Sequence, residues 1–405
     1  MNIGITTLGC DGGKSGIGRY AQNLLEQFSG FRDLHDFRVF GHDDECASFM
    51  QNTSGMNWNS VAPRWINPTA SILWHQAKLP FLTRDLDVLF LPAGNRRLPL
   101  ISAVPTVGTV HDLSSLHVEQ KYDRVRDVYI KRVLPSLIRR LDHVLTVSDC
   151  TKQDIIRHCG VSPDSISVIP LAADSTRFYP ENQDECLARL SLKYGLDRPF
   201  LLYISRIEHP GKNHIRLIKA FDDLKRREKI PHELVFVGPD KERAEEVHAA
   251  AAKSPNSDDI RFLGFVEDQD LRAFYNAAAV FVFPSLFEGF GLPILEAMSC
   301  GTPVACSNSS SLPEVAGNAA KVFDPFLERG MSDSIATLLN SHSERETLIE
   351  RGLRRARGYT WQHTAQRTLL ILFRIARQLP VRSTSTLAHL TSIEAASAFN
   401  LLNHK

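Results

Sequence analysis

One stretch of the chain concentrates residue types able to hold a charged ligand: Phe283-Pro284-Ser285-Leu286-Phe287-Glu288-Gly289-Phe290-Gly291-Leu292-Pro293-Ile294-Leu295-Glu296-Ala297-Met298. The apolar run Val280-Phe281-Val282-Phe283 leads into it and an apolar-periodic segment from Pro293 follows, so it reads as strand, turn and helix start. Pro293 suits a first helical turn, where its missing N–H costs nothing. Gly289 and Gly291 let the backbone approach a ligand closely. The N–H groups of Phe290, Gly291 and Leu292 would then point outward from a helix start, which is a ready anion site. Glu288 and Glu296 are expected to reach the same mouth, Glu296 from the first helical turn. An anion beside two carboxylates calls for a ligand with phosphate for the amides and hydroxyls for the carboxylates. A sugar diphosphate has both. A Gly-rich turn with a helix-capping Glu is the plainer alternative.

A second loop, Ser205-Arg206-Ile207-Glu208-His209-Pro210-Gly211-Lys212-Asn213-His214, follows the strand Phe200–Ile204. Breaking a sugar–diphosphate bond builds charge on the leaving phosphate, and cations held there stabilise it. Arg206 offers a forked donor and Lys212 a compact point charge. Both could instead be loop cations in surface salt bridges. His111 ends the strand Pro105–Val110, at the carboxyl edge where ligands of α/β sheets gather.

Near the amino terminus, Gly13-Lys14-Ser15 resembles the end of a P-loop, but Leu8 stands where that motif needs glycine. Gly16-Ile17-Gly18-Arg19-Tyr20-Ala21 has dinucleotide-fingerprint spacing, yet Gly9–Ser15 separates it from the first strand. A helix start approached by a mobile Gly-rich loop fits better. Trp74-His75-Gln76 and Asn95-Arg96-Arg97 could face a second substrate, with Trp74 more readily a core residue.

These residues need two alternating βα series to position them. The first has strands over Ile3–Leu8, Phe37–Gly41, Asp87–Leu91, Pro105–Val110, His143–Val147 and Ile166–Ile169, with helices over Gly18–Phe28, Asp123–Leu141 and Cys150–His158. The second has strands over Phe200–Ile204, Glu233–Val237, Ile260–Leu263, Val280–Phe283 and Pro303–Ala305, with helices over Lys212–Arg227 and from Pro293. The 405 residues accommodate two domains of roughly 170–200 residues each. The expected fold is α/β, two Rossmann-like doubly wound domains facing each other across a cleft. The expected division is residues 1–175 and 197–360, a last helix within 361–378, and an extension over 379–405.

The E-x7-E spacing of Glu288 and Glu296 resembles the signature of the large retaining glycosyltransferase family 4. The loop Ser205–His214 resembles that family's diphosphate loop, Leu263-Gly264-Phe265-Val266 its nucleobase-side loop, and Ser311-Leu312-Pro313-Glu314-Val315 the segment after the motif. Val110-His111-Asp112-Leu113 and Thr146-Val147-Ser148-Asp149 match upstream, so the resemblance spans about residues 1–375. It implies the GT-B fold and a hexose transfer with retention of configuration, without metal or other cofactor. The donor would be a nucleotide diphosphate sugar, GDP-mannose or a UDP-sugar. The acceptor would be a glycan or a lipid-linked sugar. Catalysis would rest on His111, Arg206, Lys212 and Glu288. The donor would touch Gly16, Gly18, Arg206, Lys212, Val266, Phe290, Gly291, Leu292 and Glu296. His111 would hold donor hydroxyls or assist proton transfer. A sugar-nucleotide epimerase, a phosphorylase of the same fold, or a non-catalytic sugar-nucleotide-binding protein are the other readings.

A net charge of +1 gives no global field toward nucleic acid. Arg124, Arg126, Lys131, Arg132, Arg139 and Arg140 crowd one helical stretch and Arg351, Arg354, Arg355, Arg357 and Arg367 another. They read as solvated helix faces or as a peripheral attraction to anionic lipid head groups. Seven cysteines without a C-x-x-C pair fit buried thiols in a reducing compartment. With no apolar run near the ~20 residues of a membrane span, a cytoplasmic or peripheral protein is expected.

Overall fold

A computed structural model describes residues 1–13, 15–50, 53, 55–117 and 129–379, which fall into two compact units. The first is built from the residues up to Leu113, from Tyr129 to Leu171 and from Trp361; the second runs from Ala172 to Thr360 and includes the Ser114–Leu116 turn. Lys14, Arg124, Arg126, the start of the helix expected over Asp123–Leu141 and the extension beyond Leu379 lie outside the described residues.

The first unit carries a seven-stranded parallel sheet. Its strands are β1 (Asn2–Thr6), β2 (Asp36–Gly41), β3 (Asn57–Ser60), β4 (Val88–Leu91), β5 (Thr106–Val110), β6 (His143–Thr146) and β7 (Ile166–Val168), in the order β3-β2-β1-β4-β5-β6-β7. The second unit carries a six-stranded parallel sheet of β8 (Phe200–Ile204), β9 (Glu233–Val237), β10 (Ile260–Phe262), β11 (Val280–Phe283), β12 (Val304–Ser307) and β13 (Lys321–Phe323), in the order β10-β9-β8-β11-β12-β13. Strands β4, β5, β6, β9, β11 and β12 are buried along their whole length, as strands covered by helices on both faces must be.

Strand order reverses between β1 and β4 in one sheet and between β8 and β11 in the other. Such reversals part the loops at the carboxyl edge and open a crevice for ligand. In the second unit the loops that follow β8 and β11 are those carrying Arg206, Lys212 and Glu288.

Several elements differ from expectation. The edge strands β3 and β13 are short and half-buried, so neither leaves an apolar run in the sequence. The stretch between the two series contains the helix Gln183–Tyr194, capped by the Asn182 side chain and closed by left-handed Gly195. It buries Cys186 and Leu190, and Gln183 reaches the Ala277 carbonyl of the Leu271–Ala277 helix. The last helix runs from Trp361 to Ala376, within the stretch expected for it. Trp361, Ala365, Leu369 and Leu372 form its buried face, and it packs with the Gly16–Ser29 helix and β4 in the first unit.

Candidate active site

The loop after β8 is held as an extension of the sheet. Ser205 N–H donates to the Val237 carbonyl, Ile207 N–H to Pro239 O and Lys241 N–H back to Ile207 O, all within 3.0 Å. Gly238 lies beneath it with φ 142°, and a Cβ there would stand 1.9 Å from the Ser205 carbonyl oxygen. Only glycine fits. Gly238 N–H also donates to Gly264 O at 2.8 Å, which ties the loop carrying Val266 to the loop carrying Arg206.

The loops after β8 and β11 are stitched together. Leu286 N–H donates to Gly211 O at 2.9 Å. The Tyr203 hydroxyl lies 2.8 Å from the Lys212 carbonyl and 3.1 Å from Ser285 Oγ. Burial raises the pKa of Tyr203 far above that of an ordinary phenol, so it stays a neutral donor. Asn213 sits at φ 62° as the residue before the His214–Glu228 helix. It is 2% exposed, and its amide group donates to Pro284 O at 3.0 Å and Pro325 O at 2.8 Å.

That frame brings Lys212 onto Glu288, with Nζ 2.6 Å from Oε1 and each side chain 16% exposed. Glu288 N–H donates to Ser310 Oγ at 2.9 Å, and the Ser311 hydroxyl contacts the carbonyls of Glu288 and Phe290 at 2.9 and 2.8 Å. The turn then enters the Leu292–Ser299 helix through Gly291 at φ 101°, with no side chain capping the helix start. Phe290 buries its ring against Tyr359, so its backbone is what it could offer a ligand. Arg206 is half-exposed and pairs with the buried Glu208 at 2.9 Å.

Two positions in this unit depart from the sequence reading. Glu296 is not in the first turn, which holds no acidic residue. It is the fifth residue of the helix, 5% exposed, and accepts a hydrogen bond from Tyr275 Oη at 2.7 Å. The sequence expectation counted from Pro293 rather than from the residues the helix spends on its turn. Val266 is also buried, which turns Gly264 and Phe265 outward on that loop, with Phe265 74% exposed.

In the first unit, His111 follows β5 with its ring buried. A carbonyl can only accept, so His111 Nε2, 2.9 Å from Pro92 O, carries the proton and leaves Nδ1 as the acceptor. Burial lowers its pKa to about 4, against a raising effect of that hydrogen bond. It is therefore neutral at physiological pH, which favours holding a hydroxyl over donating a proton. Tyr20 packs its ring edge-on against His111 at 4.7 Å and bonds Thr109 Oγ1 at 2.9 Å.

Gly16 opens the first helix, exposed, with open space around it. Gly18 is different: a Cβ there would meet Cys10 O at 2.2 Å and Gly13 Cα at 2.7 Å. It packs against its own loop, which folds back over the helix start. Ser15 caps the helix by accepting from Gly18 N–H, and Arg96 donates to Gly9 O at 2.7 Å. Trp74 is buried against Phe40, and His75 is fully buried on Ser71 O. Gln76 spends its amide on Leu98 O and Leu100 N. Sequence reasoning missed Tyr203, Asn213 and Gly238 as site-shaping residues; a strand-end Tyr, a Lys-Asn pair and a Gly-Pro after β9 were the available signals.

Comparison with known proteins gives this geometry its context. Residues 189–355 match the model described as Glycosyl transferases group 1, and residues 14–177 match Glycosyltransferase Family 4. The chain is 32% identical to the O-antigen chain mannosyltransferase B of Escherichia coli over 88% of this chain and 95% of that one. It is 30% identical to the serotype-specific mannosyltransferase WbdA of E. coli over 64% of this chain, but spans only 32% of that longer protein. Among solved structures, Anabaena Alr3699/HepE in complex with UDP and glucose superposes with a TM-score of 0.72 at 19% identity, covering 92% of this chain and 99% of that one. WaaG, a glycosyltransferase involved in lipopolysaccharide biosynthesis, gives 0.69 at 16% identity over 92% and 99%. With a full-length relative above 30% identity and both halves matched, the chain belongs to the group 1, family 4 glycosyltransferases of GT-B fold and is mannosyltransferase-like.

Proposed function

We propose that the protein transfers a hexose, mannose by its relatives, from a nucleotide diphosphate sugar to a glycan or lipid-linked acceptor with retention of configuration, in cell-surface polysaccharide or lipopolysaccharide synthesis. The observation that carries this reading is the Lys212–Glu288 ion pair at the mouth of an uncapped helix start. A diphosphate arriving there gives Lys212 and the amides of Gly291 and Leu292 an anion to hold, as a helix start does. Glu288, released from Lys212, becomes an acceptor for sugar hydroxyls. Arg206, already half-exposed, adds a forked donor to the leaving phosphate.

In this picture the acceptor hydroxyl attacks the anomeric carbon on the face the diphosphate leaves. The C–O bond to phosphate breaks, and a phosphate oxygen takes the acceptor proton. The second unit holds the donor, GDP-mannose or a UDP-sugar, and the first serves the acceptor. Neutral His111 would accept a hydrogen bond at Nδ1. Glu296, buried and accepting from Tyr275 Oη, would hold donor hydroxyls from the same helix. A lipid-linked acceptor would bring the enzyme to the cytoplasmic face of a membrane as a peripheral protein.

The test is turnover of a panel of nucleotide sugars by the wild type and by Lys212→Ala and Glu288→Ala. The expected loss is at least ~100-fold in transfer rate for each, as for one preorganised transition-state contact. Full activity in both variants rejects the assignment, and conversion of donor without acceptor points to an epimerase.

A further inference from the structure

Tyr20 lies on the Gly16–Ser29 helix and is 2% exposed. A phenol buried that deeply needs a partner for its hydroxyl. Here the partner is Thr109 Oγ1 at 2.9 Å, on β5 and two residues before His111. Burial raises the pKa of the phenol far above its ordinary value, so the group stays neutral. The hydroxyl pins the ring, and the pinned ring meets the His111 imidazole edge-on, with centroids 4.7 Å apart and planes at 82°.

The turn after β4 grips the same pair of residues. His111 Nε2 donates to Pro92 O, and Gly94 N–H donates to Thr109 O, both at 2.9 Å. A Cβ on Gly94 would stand 2.9 Å from that Thr109 oxygen, so the turn closes on β5 only with glycine there. The last helix reaches Tyr20 as well. The Trp361 ring lies 6.3 Å from the phenol ring, tilted by 52°, and the Thr368 hydroxyl borders the phenol oxygen. Trp361 and Thr368 are both buried.

One hydrogen bond at Nε2 selects the tautomer of His111 but leaves the ring free to swing about that bond. An edge-on aromatic neighbour removes the swing, because the imidazole cannot rotate without losing the contact. Side chains that must aim an atom are held by this combination of packing and outer hydrogen bonds.

We propose that Tyr20 is a positioning residue for His111: pinned by Thr109 and joined by the last helix, its ring sets the plane of the imidazole and hence the direction in which Nδ1 accepts. The inference rests on the proposed role of His111 as an acceptor for a substrate hydroxyl. Tyr20 itself touches no substrate and moves no proton. It also gives the returning helix a part in the site, through Trp361 and Thr368.

The test is a double-mutant cycle on the full-length chain, read as kcat for transfer. Tyr20→Leu should lower kcat about five- to tenfold in the wild-type background, as for one misaimed hydrogen bond. In the His111→Ala background it should lower kcat less than about twofold, because residues acting through one contact are not additive. Tyr20→Phe keeps the ring edge and Thr109→Val removes the same pin, so each should cost about threefold in wild type and nothing further in His111→Ala. These two mild variants decide the matter if the leucine variant does not fold. A second readout is the imidazole 15N spectrum of histidine-labelled protein, with the His111 signals assigned by their loss in His111→Ala. It should show the Nε2-protonated tautomer in wild type and a mixture of tautomers in Tyr20→Leu. Full kcat in Tyr20→Leu, an equal loss in both backgrounds, or an unchanged His111 tautomer overturns the inference. Full activity in His111→Ala instead rejects the role of His111, and the spectra then judge Tyr20 separately.

Discussion

The two strand-order reversals share one architecture and surround groups of opposite character. In the second unit, between β8 and β11, charged side chains are left partly in water: Lys212 and Glu288 at 16% exposure, Arg206 at about half. The backbone beneath them is locked by Tyr203, Asn213 and Gly238. In the first unit, around β1, β4 and β5, the central group is a buried neutral imidazole, and the cation Arg96 is spent on Gly9 O and Asp11. Ionic binding needs charges that are accessible yet held; hydroxyl positioning needs a neutral acceptor of fixed tautomer. On the proposed function, the second unit would hold the donor's anion and the first would position a hydroxyl.

The comparison breaks first on the charged side. Lys212→Ala and Glu288→Ala should each lower transfer by ~100-fold or more, whereas His111→Ala should cost less, about tenfold, because a neutral acceptor contributes one hydrogen bond. Steady-state rates with one donor decide the order, and a larger loss at His111 would reverse it.

Next comes the frame under the charges. Asn213→Ala strands two buried carbonyls and puts an alanine at φ 62°, which should cost about 2–4 kcal/mol of stability by urea unfolding. Asn213→Gly restores the backbone freedom alone and should recover only part. Unchanged unfolding midpoints would remove Asn213 from the frame.

The paired glycines of the first unit sharpen the contrast further. Gly18→Ala forces Cβ into the Cys10 carbonyl and should destabilise by about 2 kcal/mol, while Gly16→Ala, in open space, should stay within about 0.5 kcal/mol. A rise in donor KM for Gly16→Ala at unchanged melting temperature would keep Gly16 at the ligand; no change in KM would leave it a plain helix start.

The smallest effect is on pH. Burial lowers His75, His111 and His143 in the first unit to about 4 from the usual 6.5. Between those values the unfolded chain takes up protons that the folded one refuses, so stability is full above about 6.5 and falls as pH drops toward 4. Calorimetric melting temperatures across that window should decline; a flat profile would contradict the neutral imidazoles.

Much of this was legible in the residues. Central strands such as β8, β9 and β11 are buried on both faces and leave runs of Val, Leu and Phe, so their positions and the reversal loops after them could be read directly. The edges could not: Asn57–Ser60 and Lys321–Phe323 are half-wet and carry little pattern. Glu288 and Lys212 stood out because charge beside glycine is unusual after an apolar strand. Tyr203 and Asn213 did not, because their role lies in carbonyls and a hydroxyl brought to them from distant parts of the chain.

Local spacing was therefore enough to determine which loops carry charge, the parallel α/β class and the family, since periodicity and short motifs are properties of neighbouring residues. Tertiary structure alone decided that Glu296 turns inward to Tyr275, that Gly18 serves its own loop and that Lys212 meets Glu288. It also decided which arginines are occupied and which aromatic ring rests on His111. Burial and pairing depend on what the fold brings from elsewhere in the chain, and no local pattern contains that partner.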